Sequence, residues 1–247
     1  ALDAVCTPNF GAGNTITGGS ELLKKIKMIA LLTGKPAENK KTTPAAVHEQ
    51  AGAGALPPLV AIGASTGGPR VLAEILNLLP PHPGAAIVIV QHVDSQFAGG
   101  LAAWLDSQCP LAVQLAADTM PLQRDLVYVA GSNDHLVLGP DRRLHYTAEP
   151  RNYPYRPSVD EFFSSLAQHW PRRDMAVLLT GMGRDGARGL LGLRRSGWRT
   201  IAQTEASCVI YGMPRAAVEL DAAMEILPPQ RIAEAIAGFV KTAGPAQ

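Results

Sequence analysis

Three short apolar runs constrain the fold of this 247-residue chain more than any other feature. Each contains four or five apolar residues with no polar residue among them: LVAI at 59–62, AIVIV at 86–90 and AVLL at 176–179. Strands with this pattern are buried on both faces, which is typical of a parallel sheet covered by helices. Amphipathic stretches that favour helices lie between and after the runs, at 70–79, 97–107, 158–169, 186–196 and 229–240. The alternation predicts an α/β fold with a doubly wound, mostly parallel sheet.

Residues 126–147 interrupt this alternation. Two segments of alternating polar and apolar residues flank the turn sequence Gly139-Pro140-Asp141, and Val127–Ala130 leads into them. Alternating strands joined by a short turn are typical of a β-hairpin. We therefore expect an antiparallel hairpin insert.

The N-terminal part of the chain has a different composition. Residues 34–58 are rich in Pro, Ala, Gly and charge without apolar periodicity, which is typical of a flexible linker. Before them, Gly18-Gly19-Ser20 can cap one amphipathic helix that ends at Gly34. A segment of this size is too short for an ordinary domain. The chain also begins with Ala. We expect residues 1–33 to be the remnant of a domain, 34–58 a linker and 59–243 the main domain.

Composition argues against several classes of function. Apolar residues make up 47% of the chain and the net charge is only +1, which creates no field to attract nucleic acid or an anionic membrane. No apolar run approaches the ~20 residues needed to cross a bilayer. The cysteines, Cys6, Cys109 and Cys208, are too far apart for a metal motif or a disulfide framework. These features predict a cytoplasmic protein that inserts in no membrane and binds neither nucleic acid nor metal.

Polar residues with catalytic chemistry follow the three apolar runs. Ser65 comes after LVAIGA, His92 after AIVIVQ and Asp185 after AVLLTGMGR. In an open α/β sheet, ligands bind beyond the carboxyl ends of the strands. A serine, a histidine and a carboxylate at that edge can act as a nucleophile, its general base and the group that orients the base.

The serine lies in a recognisable turn. Residues 63–67 fit G-x-S-x-G, a strand-to-helix turn that exposes the serine oxygen near the N-terminus of the following helix. Two alternatives stay open at this point. Ser65 or Thr66 could simply cap the helix, or Gly63–Gly68 could bind phosphate. The phosphate alternative is disfavoured because Ser65 replaces the middle glycine of G-x-G-x-x-G. The order Ser, His, Asp also differs from that of the ordinary α/β-hydrolases.

The other two candidates have structural alternatives as well. His92 is the one histidine that closes a buried run, whereas His135 follows Asn133-Asp134 in a predicted turn. Asp185 could be merely the N-cap of the next helix. However, three glycines in residues 181–186 expose main-chain amides, including that of Met182, which could stabilise an oxyanion.

Six ordered sequence blocks resemble the catalytic domain of CheB-type protein-glutamate methylesterases of bacterial chemosensory systems. The blocks, which span most of residues 59–240, are IGASTGGP, IVIVQH, YVAGSNDHLVL, YRPSVDEFFSSLA, LLTGMGRDGARG and QTEASCVIYGMPRAA. The resemblance implies that Ser65 is the nucleophile, His92 the base and Asp185 its orienting acid, with Thr66 and the Met182 amide lining the site. It implies hydrolysis of glutamate methyl esters on chemoreceptor cytoplasmic domains, and deamidation of receptor glutamines in many members. No metal or organic cofactor is implied.

The first residues add a second resemblance. ALDAVCTPNFGAG and GGSELLKKIKMIALL are similar to the last strand and helix of the family's phosphorylatable receiver domain, particularly in its Wsp-type branch. This implies a truncated receiver and a histidine kinase as the partner of the missing part. Val93 stands where many members have Met. A different class of function, a catalytically idle module that binds receptors, also fits the sequence.

Overall fold

The structure, a computed structural model, describes residues 9–10, 16–17 and 56–243. The chain divides into two compact units, residues 1–50 and 51–247. In the first unit, strands β1 (Asn9–Phe10) and β2 (Ile16–Thr17) pair antiparallel. The helix predicted after Ser20 and nearly all of the predicted linker lie outside the described residues, so both stay predictions.

The second unit is built on a seven-stranded sheet in which every neighbouring pair is parallel. The strands of residues 56–243 are β3 (Leu59–Ala64), β4 (Ala86–Gln91), β5 (Ala112–Leu115), β6 (Met120–Pro121), β7 (Leu126–Val129), β8 (His135–Leu138), β9 (Arg143–Thr147), β10 (Met175–Leu178), β11 (Arg199–Gln203) and β12 (Glu225–Leu227). The large sheet has the order β12-β11-β10-β3-β4-β7-β5. All residues of β3, β4 and β10 are buried, as the apolar runs predict.

Helices cover both faces of this sheet. They are α1 (Gly68–Asn77), α2 (Ser95–Gln108), α3 (Val159–His169), α4 (Ala187–Arg195), α5 (Met213–Glu219) and α6 (Pro229–Thr242). Helix α1 contacts α2 and α6, whereas α4 contacts α3 and α5, so the helices form two groups. Alternate residues of β3 point to opposite faces, and both sets are buried. This confirms the predicted doubly wound α/β architecture.

The predicted hairpin is also confirmed. Strands β8 and β9 pair antiparallel on either side of the turn at 139–142, and β6 adds a third strand beside β9. The lead-in run does not join this small sheet. It forms β7, which lies between β4 and β5 in the large sheet.

The chain reverses its direction of progress across the large sheet at β3. From β3 the sheet continues through β4, β7 and β5 on one side, and through β10, β11 and β12 on the other. Such a switch point leaves a crevice at the carboxyl ends of the strands, where ligands bind in open α/β folds. The loops after β3, β4 and β10 meet there. Within residues 56–243, no helix has the length and apolar character needed to cross a membrane.

Candidate active site

Ser65 lies in a tight turn between β3 and α1. The Ser65 carbonyl accepts a hydrogen bond from the Gly68 amide at 2.8 Å, and Gly67 adopts a left-handed conformation with φ 83°. Gly67 is the N-cap of α1, and no side chain donates or accepts a capping bond there. The alternative in which Ser65 or Thr66 caps the helix is therefore wrong, and the Ser65 hydroxyl makes no capping hydrogen bond.

The loop after β10 packs closely on this turn. The Ser65 amide donates to the Thr180 carbonyl at 3.0 Å, and the Thr180 hydroxyl donates to the Thr66 carbonyl at 3.0 Å. A Cβ atom at Gly181 would lie only 2.6 Å from Ser65 Cβ, so this contact requires glycine. Met182 follows directly and is 57% exposed. Both predicted flanking residues, Thr66 and Met182, thus lie beside the serine turn.

Strand register brings His92 next to Ser65. Ala64 and Gln91 are partners in the β3–β4 pair, so Ser65 and His92 are the next residues on neighbouring strands. The register continues because the His92 amide donates to the Ala64 carbonyl at 3.0 Å. The Gln91 side-chain amide then donates to the Ser65 carbonyl at 2.9 Å and the His92 carbonyl at 3.2 Å, which ties the two chain segments together.

The imidazole of His92 is bonded to Asp185. His92 Nε2 and Asp185 Oδ2 are 2.7 Å apart. A buried carboxylate that already accepts hydrogen bonds is an acceptor here, so Nε2 carries the proton and Nδ1 keeps its lone pair. Nδ1 is buried and has no hydrogen-bond partner in the described part of the chain, Ser65 included. His92 therefore keeps one ring nitrogen unpaired, and its main chain lies next to that of Ser65, although no serine–histidine hydrogen bond is formed.

Asp185 is held by the N-terminus of α3 rather than by its own helix. It accepts hydrogen bonds from the Ser158 hydroxyl (2.9 Å) and from the amides of Val159 (2.7 Å) and Asp160 (3.1 Å). Helix α4 is capped by Gly186 instead, so the alternative in which Asp185 serves as its N-cap is wrong. Amides at a helix N-terminus carry partial positive charge and favour an anion.

These contacts set the charge state of Asp185. Burial alone would raise the pKa of its carboxyl, but the hydrogen bond and charge of His92 and the Val159 and Asp160 amides outweigh burial. The net pKa of Asp185 lies below its ordinary value. Asp185 is consequently a stable anion, suited to orient an imidazole and to stabilise its protonated form.

His135 supports this arrangement from behind. We predicted a turn at His135, which is wrong: His135 begins β8 and is fully buried. Its Nδ1 accepts the Ser158 amide at 3.2 Å, and its Nε2 contacts the Pro150 carbonyl at 3.2 Å. This fixes the start of α3, on which Asp185 depends. Turn-forming neighbours in the sequence concealed the role of His135, and only the packing reveals it.

A cavity of about 390 Å³ opens next to the histidine–aspartate pair. Asp185, Gly183, Arg184 and Tyr155 are among its lining residues. The Tyr155 ring stacks on the His92 imidazole with centroids 4.7 Å apart and planes inclined by 3°. Tyr155 is not among the predicted site residues. Within residues 56–243, no group of three His, Cys, Asp or Glu residues is arranged to hold a metal ion.

Comparisons with known proteins show the family of this chain. The sequence model of the CheB methylesterase family matches residues 60–236. A Bordetella avium (strain 197N) protein named protein-glutamate methylesterase/protein-glutamine glutaminase 1 is 51% identical over 92% of this chain and 66% of its own length. A Pseudomonas aeruginosa protein, protein-glutamate methylesterase/protein-glutamine glutaminase 3, is 49% identical over 96% of this chain and 70% of its own length.

A solved structure gives the same result. The crystal structure of the Thermotoga maritima CheB methylesterase catalytic domain aligns with a TM-score of 0.68 and 35% sequence identity. The alignment covers 73% of this chain and 97% of that domain. With its sequence, its fold and the comparisons in agreement, the chain belongs to the CheB methylesterase family.

Proposed function

We propose that this protein is a serine hydrolase that removes methyl groups from glutamate methyl esters on chemoreceptor-type proteins, as the adaptation enzyme of a chemosensory pathway. Ser65 is the nucleophile, His92 the general base and Asp185 the acid that orients it. One observation carries the proposal: His92, which strand register brings next to Ser65, is bonded through Nε2 to Asp185 and has no partner for Nδ1 in the described part of the chain. The names of the curated relatives support the choice of substrate.

Acylation begins at the serine. His92 Nδ1 takes the proton from Ser65 Oγ as Oγ forms a bond to the ester carbonyl carbon. The carbonyl oxygen becomes an oxyanion, and the Met182 amide and the N-terminus of α1 are the donors proposed to stabilise it. The tetrahedral intermediate then collapses, the bond to the methoxy group breaks, and methanol leaves with the proton from His92. Asp185 stabilises the imidazolium throughout.

Deacylation reverses the roles. A water molecule gives its proton to His92 and attacks the acyl carbon, and Ser65 leaves with that proton. The products are a glutamate side chain and the free enzyme. The same steps deamidate a glutamine, with ammonia as the first leaving group. All of the required groups are side chains and main-chain amides, so the mechanism needs no metal or organic cofactor.

Methanol release from a methylated receptor cytoplasmic domain tests the proposal. We expect Ser65→Ala to abolish release while the circular dichroism spectrum stays unchanged, because the substitution removes one oxygen atom. Ser107→Ala is the matched control, since Ser107 is an exposed serine on α2 whose hydroxyl bonds to two residues of the same helix, Trp104 and Gln108. Near-normal release by Ser65→Ala would contradict the serine assignment. Receptor binding without release by the unaltered chain would favour the idle binding module.

The N-terminal residues carry a second part of the proposal. We infer from their resemblance that residues 1–33 are the end of a receiver domain of the Wsp-type branch and that 34–58 link it to the catalytic domain 59–243. The chain spans 66% and 70% of the length of the two relatives above. The pathway's histidine kinase would act on the receiver, in the cytoplasm. We expect acetyl phosphate to leave methanol release by this chain unchanged, and clear stimulation would contradict the truncated receiver.

A further inference from the structure

The one aromatic contact of His92 in residues 56–243 lies on the face of its ring. The Tyr155 and His92 rings are nearly parallel, with planes inclined by 3° and centroids 4.7 Å apart. Because contacting carbon atoms lie about 3.5–4.0 Å apart, parallel rings at this separation are offset, which is a favourable stacking geometry. Tyr155 belongs to the loop between β9 and α3, whereas His92 follows β4. The contact is therefore a tertiary one, with no local constraint that would produce it.

The hydrogen bonds of the imidazole do not by themselves fix the plane of its ring. Asp185 holds the ring at one point, Nε2, and Nδ1 has no partner in the described part of the chain. A single hydrogen bond fixes the position of one nitrogen but restrains the ring plane only weakly. Stacking against a second ring fixes that plane and so fixes the direction of the Nδ1 lone pair.

Tyr155 also packs closely against the loop that carries Asp185. Gly183, with φ +85°, lies against its hydroxyl group, and a Cβ atom at Gly183 would come within 2.6 Å of Tyr155 Oη. Gly183 belongs to the same loop as Asp185, so the tyrosine packs between the histidine and the loop that carries the aspartate. Tyr155 also lines the 390 Å³ cavity.

We infer that Tyr155 is a positioning residue for the acyl-transfer reaction: its ring fixes the plane of the His92 imidazole and stabilises the imidazolium that forms when Ser65 is deprotonated. The face of an aromatic ring carries negative potential and attracts a cation placed over it. In the proposed mechanism this cation forms as Ser65 attacks the ester, so the interaction favours the transition state. The aspartate acts at the edge of the same imidazole, and the tyrosine acts on its face. This inference rests on the proposed function.

Substitution of the ring separates this role from a structural one. We expect Tyr155→Leu, which keeps an apolar side chain but loses the ring, to lower kcat for methanol release about 5- to 30-fold, with KM changed less than about twofold. Tyr155→Phe keeps the ring and should recover at least half of kcat. Tyr155 is only partly buried, so we expect all variants to fold, with thermal midpoints within a few degrees of one another.

Several outcomes would overturn the inference. Full kcat in Tyr155→Leu would show that the ring plays no part, and an equal loss in Tyr155→Phe would assign the effect to the hydroxyl. A change confined to KM would place Tyr155 in substrate binding instead. Ser65→Ala, measured in the same assay, distinguishes failure of the proposed function from failure of the inference about Tyr155. If that variant is inactive while Tyr155→Leu is normal, only the inference fails, whereas full activity of Ser65→Ala would overturn both.

Discussion

Asp174 and Asp185 are both buried carboxylates on either side of β10. Asp174 lies at the edge formed by the N-terminal ends of the parallel strands, and Asp185 lies at the edge formed by their carboxyl ends. Asp174 precedes β10 and accepts hydrogen bonds from the Leu59 amide (3.0 Å), Trp170 Nε1 (2.7 Å) and Arg172 Nε (3.2 Å). Asp185 lies beyond the end of β10 and accepts from the N-terminus of α3 and from His92. Burial and a full set of hydrogen bonds are thus common to both edges and do not identify a catalytic site.

The two carboxylates differ in whether a hydrogen-bond partner keeps an unpaired polar atom. The donors to Asp174 fix the start of β3 and the end of α3, and each supplies its hydrogen to the carboxylate. At Asp185, one partner, His92, keeps a second nitrogen buried and unpaired. The pKa values also diverge: burial raises the pKa of Asp174 despite its hydrogen bonds, whereas the pKa of Asp185 is lowered. An unpaired ring nitrogen next to a carboxylate with a lowered pKa distinguishes the proposed catalytic edge from the structural edge.

Removal of the His92 imidazole should cause the largest loss of activity. His92→Ala leaves Asp185 on the α3 N-terminus but removes the group that we propose deprotonates Ser65. We expect kcat to fall by a factor on the order of 10⁶, the loss measured for a comparable single substitution in a serine protease triad. His145→Ala is the matched control, because His145 bonds to Asp141 at 2.9 Å outside the site. Methanol release by both variants measures the effect, and His92→Ala within tenfold of the unaltered protein would contradict the account.

Removal of the charge at Asp185 should have the next largest effect. An Asn at this position keeps the size of the side chain but presents an amide group to donors, so His92 loses its orientation and its counter-charge. In a well-studied serine protease the equivalent change lowers turnover about 10⁴-fold. Methanol release by Asp185→Asn tests this value. Full activity would mean that Asp185 only stabilises α3.

The same substitution at the structural edge should affect stability instead of activity. In Asp174→Asn the oxygen can still accept from Leu59 and Trp170, but the new amide faces Arg172. We expect the free energy of unfolding to fall by about 1–3 kcal/mol, with kcat and KM unchanged below the melting range. Urea unfolding and methanol release measured on one preparation separate the two effects. A loss of kcat comparable with that of Asp185→Asn would erase the proposed difference between the edges.

The two aspartates should also give stability opposite dependences on pH. The pKa of Asp185 is lower in the folded protein than in the unfolded chain, where it is about 3.9. At pH values just below about 3.9 the unfolded chain therefore binds more protons than the folded protein, and stability rises with pH. The folded-state pKa of Asp174 is raised, so just above about 3.9 the folded chain holds the extra proton and stability falls with pH.

Urea unfolding of the unaltered protein and the two Asn variants across this range measures both dependences. The stability advantage over Asp185→Asn should be complete above about pH 4 and should be lost as the pH falls below that value. The advantage over Asp174→Asn should instead shrink as the pH rises above about 4. Slopes of the same sign for the two variants would contradict the assigned pKa directions.

The sequence predicts the sheet, and it predicts that Ser65, His92 and Asp185 follow its strands, because both depend on local signals. Continuous apolar runs mark β3, β4 and β10, and the residues after them necessarily meet at the carboxyl edge of a parallel sheet. Elements without such a signal escaped prediction: β5 is a half-exposed edge strand, and α5 spans only seven residues. Neither is long enough to show a clear periodicity.

The supporting residues of the site could not be predicted for a different reason. Gln91, His135, Tyr155 and Ser158 act through contacts with residues that are distant in sequence, such as the 2.9 Å bond from Ser158 to Asp185. Each looks ordinary in its local context: a strand residue, a turn residue, a loop aromatic and a helix cap. Only the folded structure brings them to the histidine and the aspartate.

Covalent labelling tests the central claim most directly, because it asks whether Ser65 is the activated nucleophile of the folded protein. The protein is treated with a fluorophosphonate, which loses fluoride when an activated serine oxygen attacks phosphorus, and the site of the adduct is found by mass spectrometry. We predict an adduct on Ser65 in the unaltered protein and in Asp174→Asn, and none in Ser65→Ala or His92→Ala. An unlabelled Ser65 in active, folded protein, or equal labelling of Ser65 in His92→Ala, would contradict the account.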